Sequence, residues 1–284
     1  MHYRLLALDI DGTLIGSDQV VPRDVVEAVA EAEAGGLRVC LATGRSLPES
    51  LGVWRQLRLP HPPMPIILVG GAQVSEPHTG RSLYQRSMDR AAAGEFADAL
   101  AAEGLPAMAL VDGWRWDFDY YAAGDERAAR RDWFARMNAR VRRVGSLAEA
   151  DETVGILRIS TVVEAAAAER LAERLRPRFA GRLNVHAILA PNYGVTIVEA
   201  HAAGATKLTA LQYVAQGAGV GMGRVAAVGD DINDIPMVRG AGLGAAMPSA
   251  PPSLRAAAEH VLDDGLAAFI RRLAAGQFDG SAGG

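Results

Sequence analysis

The chain is short of several things, and each shortage removes a class of function. Among 284 residues Cys40 is the only cysteine, which rules out a disulfide framework and a thiolate metal site. Set in an apolar run, it reads as a small core residue. Charge of one sign is nearly absent in excess: the formal net charge is −4, so the basic patch of a nucleic-acid binder is not expected. That balance still admits an anionic substrate, because a cation and a few placed bases can reverse a local field. No apolar run is long enough to span a bilayer, and the first residues lead straight into a strand pattern without a secretory signal. A cytoplasmic protein without membrane partners is the expectation. The six histidines show no metal-ligand spacing, and no internal repeat is visible.

What the chain does have is hydrophobic material, half of its residues, enough for a large core and for two domains. The stretch Leu5-Leu6-Ala7-Leu8-Asp9-Ile10-Asp11-Gly12-Thr13-Leu14 organises the rest. A short apolar run closed by a glycine reads as a buried strand, with Asp9 and Asp11 where the chain leaves it. In open α/β sheets, ligands bind beyond the carboxyl ends of strands. Two acids there suit nucleophilic attack and proton transfer beside a hard cation. By itself the stretch is equally a strand with an Asp-Gly turn.

The pattern then alternates. Pro22 opens a helix with Val25, Val26 and Val29 on one face, ended by Gly35-Gly36. A strand covers 37–43, Ser46 and Glu49 form a capping-box pattern, 60–65 is a proline-rich loop, and a third strand covers 66–69. Such alternation predicts a doubly wound parallel sheet. From about Tyr84 the order changes: a helix capped by Asp89, strands at 107–111 and 114–121 joined by an Asp112-Gly113 hairpin turn, and a helix at 125–138. A strand at 153–163, a helix at 164–179, and strands at 182–189 and 193–199 follow. This predicts an inserted α+β domain over 84–201, with residues 1–83 and 202–284 as the α/β core. Alternation resumes with a helix near Thr206 and a strand at 224–228 that ends in Gly229-Asp230-Asp231-Ile232-Asn233-Asp234. The tail 280–284 is expected to be disordered.

Read together, Asp9-x-Asp11-Gly12-Thr13, Thr43-Gly44-Arg45, Lys207 and Gly229-Asp230-x-x-Asn233-Asp234 resemble the motifs of the haloacid dehalogenase superfamily, in its Cof-type branch, nearly over the whole chain. The resemblance implies a Rossmann-like core with an inserted cap, and a Mg²⁺-dependent phosphatase. Asp9 would be the nucleophile and Asp11 the general acid and base. Thr43, Gly44, Lys207 and Asn233 would hold phosphate. Mg²⁺ would lie on Asp9, Asp230, the backbone carbonyl of Asp11 and, directly or through water, Asp234. Alone, Thr-Gly is a commonplace turn, a first-turn lysine is usually solvated, and Asp234 would suit the helix dipole. Arg45 would touch phosphate or substrate, or form a salt bridge.

Several positions depart from the branch: Gly70-Gly71-Ala72 for Asn-Gly-Ala, Asp231 for Gly or Ser, Leu208 for Gly, and Pro248-Ser249-Ala250 for Gly-Asn-Ala. None removes a catalytic group. In the cap, Trp114 to Tyr120 alternate aromatic and charged residues. Either the aromatics are core and Arg115, Asp117 and Asp119 face substrate, or the aromatics themselves suit a flat ring. Arg158 and His186 are further substrate candidates. The implied substrate is a small phosphorylated metabolite, a sugar phosphate or a phosphorylated cofactor or precursor. The alternatives are a phosphomutase and a phosphometabolite-binding protein. Oligomeric state is not encoded legibly.

Overall fold

The computed structural model describes residues 2–124, 139–190 and 194–279. The helix expected at 125–138 and the tail 280–284 lie outside them. The chain divides into two compact units, Met1–Tyr84 with Thr206–Gly284, and Gln85–Ala205.

In the first unit, a five-stranded sheet places Leu5–Leu8 between Arg38–Leu41 and Val225–Gly229, with Leu243–Ala246 and His260–Val261 beyond. Every pairing is parallel. Leu5 to Leu8 are wholly buried, as a parallel strand covered on both faces must be. Each such leucine contributes about 1.5–3 kcal/mol through burial. Helix Arg23–Ala34 buries Val25, Ala28, Val29 and Ala32, one stripe at helical spacing, while Val26 is only half-buried. Cys40 is a core residue; burial pushes its thiol up to about 12. Next to this sheet, Ile66–Leu68, Gln73–Ser75 and Ser82–Gln85 form a small three-stranded sheet, tied to it by a bridge from Ile67 to Ala42.

The second unit is a six-stranded mixed sheet. Its order runs Leu183–Ala190, Val195–Ala202, Arg158–Val163, Ala107–Leu110, Tyr120–Ala123, Val141–Val144. Helices Arg90–Ala102 and Ala165–Arg178 bury Phe96, Leu100, Leu171 and Leu175 in one core with Ala109, Tyr121, Ile159, Val185, Val198 and Ala200 of the sheet. Asp89 caps the first of these helices by accepting from the Ala92 amide.

Two expected strands start later than their sequence pattern. The 114–121 strand begins at Tyr120, and no two-residue hairpin forms at Asp112-Gly113. The buried Asp112 carboxylate accepts from the Trp114 amide at 3.1 Å, and its carbonyl accepts from the amides of Arg115 and Trp116 at 3.0 and 3.1 Å. An Asx turn thus consumes the backbone groups a ladder would need. The 153–163 strand begins at Arg158, because Asp151 takes the amide and hydroxyl of Thr153 into a local turn. Among the described residues, no helix is long and apolar enough to cross a membrane.

Candidate active site

Parallel register brings the acids together. Leu8 pairs with Val228, so the chain leaves two neighbouring strands side by side, through Asp9 on one and Asp230 on the other. Gly12 then turns at φ +79°, and a Cβ there would sit 2.0 Å from Asp230 Oδ2. Only glycine lets the first loop approach that carboxylate. Asp234 closes a single tight turn after Asp230: its Oδ2 accepts from the amides of Asp230 and Asp231 at 3.1 and 3.2 Å. Asp231, exposed, caps this turn through the Ile232 amide at 2.7 Å. Lys207 opens helix Lys207–Gly217, whose N-cap Thr206 accepts from the Thr209 amide. Gly71, at φ +100°, lets the turn after the third strand approach that helix start, since its Cβ would lie 2.1 Å from the Thr206 carbonyl oxygen.

The Lys207 ammonium is 2.5 Å from Asp9 Oδ1 and 2.6 Å from Asp234 Oδ1. All three residues are buried, so Lys207 is no surface lysine. Burial alone would lower its pKa, but Asp234 and Asp9 outweigh burial and raise it. One carboxylate oxygen each of Asp9, Asp230 and Asp234 lies within 4.8 Å of the others. Burial, and then the charges of Asp234 and Asp230, hold Asp9 well above the usual carboxylate range, against the pull of Lys207. Asp230 is pushed up to about 6 by burial and Asp234. Three converging acids against one lysine leave negative charge poorly compensated, which is the environment an oxygen-ligated divalent cation relieves. The residues fit such an ion.

Thr43 follows the Arg38–Leu41 strand and is buried; its Oγ1 accepts from the Arg45 amide at 3.1 Å and keeps its O–H to donate. Gly44 lies in the same half-buried turn, and Asn233 is exposed in the turn between Asp230 and Asp234. Asp11 does not join the three acids: its carboxylate pairs with Arg45, which therefore forms the salt bridge.

The second-unit candidates separate into two places. Arg115 and Asp117 lie in the 111–119 loop, not on a sheet face; Arg115 is 3.6 Å from Asp112, and Asp117 accepts from Arg142 at 3.0 Å. Trp114 is exposed while Phe118 is buried, so the aromatics share no face either. Arg158 and His186 belong to the sheet. Register sets Arg158 against His201 and His186 against Glu199; Arg158 pairs with Glu199 at 3.3 Å, and the two imidazoles stack 5.4 Å apart.

Sequence reasoning gave no role to four residues that these contacts bring in. Thr13 Oγ1 donates to Asp230 Oδ1 at 3.4 Å, and Gln19 accepts from Arg45. Glu199 and His201, at period two on a strand expected to stop at 199, carried the alternation that marks their shared face.

Comparison with known proteins matches residues 6–270 to the family of haloacid dehalogenase-like hydrolases. A 5-amino-6-(5-phospho-D-ribitylamino)uracil phosphatase of Bacillus subtilis (strain 168) is 26% identical over 275 residues, 94% of each chain. A protein of Streptococcus pyogenes serotype M6 is 38% identical over 88 residues, 31% of this chain and 33% of that one. Among solved structures, a sugar phosphatase of haloacid dehalogenase subclass IIB superposes with a TM-score of 0.73 at 21% identity, covering 95% of this chain and 98% of that one. At that identity the likeness shows the fold.

Proposed function

Since the chain belongs to the haloacid dehalogenase-like hydrolases, in their Cof-type phosphatase branch, we propose that it hydrolyses a small phosphorylated metabolite through an aspartyl-phosphate on Asp9. The observation that carries this reading is the buried Lys207 held between Asp9 and Asp234, with Asp230 completing the acid triad. Binding alone does not need a buried carboxylate aimed beyond a strand end.

Asp9 attacks phosphorus, and the bond to the leaving oxygen breaks as Asp11 gives that oxygen a proton. Water then attacks the phosphorus, Asp11 takes its proton, and inorganic phosphate leaves with Asp9 restored. Lys207 fixes the rotation of Asp9 through Oδ1 and offsets charge on the phosphoryl group. Thr43, through its hydroxyl, and the Gly44 amide donate to the phosphoryl oxygens; the Asn233 side-chain amide does the same from the turn after Asp230. Asp234, with both oxygens already bonded, positions Lys207 and the Asp230 backbone. Asp9 and Asp230, with the Asp11 carbonyl, would hold Mg²⁺, the metal that suits a small all-oxygen site; bound there it neutralises the acids and the phosphate.

The substrate class follows the relatives. The full-length relative is named for a phosphorylated ribityl-pyrimidine and the structural neighbour for sugar phosphates, so a phosphorylated sugar, polyol or cofactor precursor is the reading. Phosphate release from a panel of such esters, with and without Mg²⁺, tests it. Wild type is expected to release phosphate only with Mg²⁺, and Asp9→Asn not at all. Release by Asp9→Asn would remove the aspartyl-phosphate; no release from any ester by folded wild type would remove the phosphatase reading for this class.

A further inference from the structure

Both ends of helix Leu47–Gln56 grip the loop that carries Asp11. At the N-terminal end, Arg45 meets Asp11 fork to fork: Nε donates to Oδ2 at 2.8 Å and Nη2 to Oδ1 at 2.5 Å. The guanidinium is itself held, with Nη2 donating to Gln19 Oε1 at 2.5 Å and Nη1 to the Glu49 carbonyl at 3.2 Å. Four of its five N–H groups (one on Nε, two on Nη2, one on Nη1) are thereby directed at protein acceptors. At the C-terminal end, Gln56 donates to the Gln19 carbonyl at 3.1 Å and accepts from the Val21 amide at 2.9 Å. Those bonds hold Gln19 at φ +60°, a left-handed conformation that non-glycine residues rarely adopt. The Arg45 side chain is 11% exposed, whereas that of Asp11 is 43% exposed.

We propose that Arg45 is a positioning residue for Asp11, with Gln19 as its backstop, and that it contributes to proton delivery and not to phosphate binding. This rests on the role of Asp11 given above. Asp11 sits on a turn and is half-exposed, and Arg45 is the side chain that fixes its direction; a carboxylate free to rotate would meet the leaving oxygen only part of the time. The fork removes that rotation and takes one lone pair on each Oδ, leaving the other to carry the proton given to the leaving oxygen and taken back from water. A guanidinium with four N–H groups committed to protein acceptors is poorly available to a phosphate, and holding the acid costs the active site none of its phosphate donors. Arg45 neither gains nor loses a proton in the cycle.

The two roles separate by leaving group. A p-nitrophenolate departs with little help from an acid, whereas an alkoxide needs a proton. Arg45→Ala, Gln19→Ala and Asp11→Ala are compared with wild type, Mg²⁺ present, on p-nitrophenyl phosphate and on the fastest of glucose 6-phosphate, ribose 5-phosphate and glycerol 1-phosphate. For Arg45→Ala, the single-turnover rate of leaving-group release falls by about 10²-fold on the alkyl ester, the scale of a misaligned catalytic group, and by about threefold or less on p-nitrophenyl phosphate. That release precedes the attack of water, which Asp11 assists for every ester. The ester concentration that half-saturates this turnover holds for both. Gln19→Ala moves the same way and less. In the Asp11→Ala background, Arg45→Ala adds no further selective loss. A rise in that half-saturating concentration on both esters with the single-turnover rate intact would make Arg45 a phosphate ligand. Equal losses of that single-turnover rate on both esters, unchanged in the Asp11→Ala background, would make its role structural only. Either outcome overturns the proposal. Thermal unfolding monitors folding, and should Arg45→Ala not fold, Arg45→Lys carries the same comparison, since a point charge cannot reproduce the fork. None of these outcomes depends on Asp9→Asn, whose retained activity would instead overturn the aspartyl-phosphate reading.

Discussion

Lys207 Nζ lies 2.5 Å from Asp9 Oδ1, joining residues 198 positions apart into a buried ion pair. The lysine also bonds Asp234 at 2.6 Å, so one ammonium serves two carboxylates taken out of water. Lys207→Met would leave both acids buried without their cation. Breaking a buried pair from one side costs about 3–5 kcal/mol, and loss of a preorganised charge at the reacting centre about 10²–10³-fold in kcat. Urea unfolding and steady-state kinetics check the two halves. Lys207→Arg is expected to restore neither, because a planar fork does not fit a site built for a point charge.

Gly12→Ala tests the close approach of the first loop to Asp230. The backbone at φ +79° disfavours any Cβ, and the new methyl would fall 2.0 Å from Asp230 Oδ2. One of the two must move. We expect a loss of about 1–3 kcal/mol from the strained turn, together with at least tenfold weaker Mg²⁺ binding by titration calorimetry. Loss of stability with unchanged Mg²⁺ affinity would show that the loop yields and Asp230 stays.

The parallel sheet, the order of the motif loops and the acids at the strand ends were legible, because a short apolar run closed by glycine admits few other readings. The 111–119 loop was not. Alternating aromatic and charged residues fit a strand, but Asp112 offered the backbone a local turn that pattern reasoning does not weigh against a ladder. Pairings set by register or by loop contacts were illegible for a second reason. Nothing near Arg158 in sequence announces Glu199, 41 positions on, and nothing near Arg45 announces Gln19. The alternatives left open for Arg45 and Lys207 were decided by three-dimensional partners alone.

A cation that binds the acid triad of the folded chain and not the unfolded chain must raise stability by mass action. At a hundred times its dissociation constant, Mg²⁺ is expected to add about 2.7 kcal/mol, read as a rise in the thermal unfolding midpoint and reversed by EDTA along with turnover. Asp230→Asn should abolish the rise. A midpoint insensitive to Mg²⁺ in wild type would argue that the triad is satisfied by Lys207 alone.

His201 supplies a pH dependence unconnected with turnover. Burial, then the nearby His186 and Arg158, lower its pKa from 6.5 to about 3. Below about pH 6.5 the unfolded chain therefore takes up a proton that the folded chain refuses until near pH 3. The unfolded state binds more protons across that window, so stability falls as pH drops through it and is unaffected by this residue above it. The slope is about 1.4 kcal/mol per pH unit. Unfolding free energies at about pH 7, 6 and 5 should decline more steeply in wild type than in His201→Gln, by that amount for each unit below 6.5. Parallel curves would mean that His201 accepts its proton within the fold, with Glu199 and the carbonyl groups around it supplying the compensation.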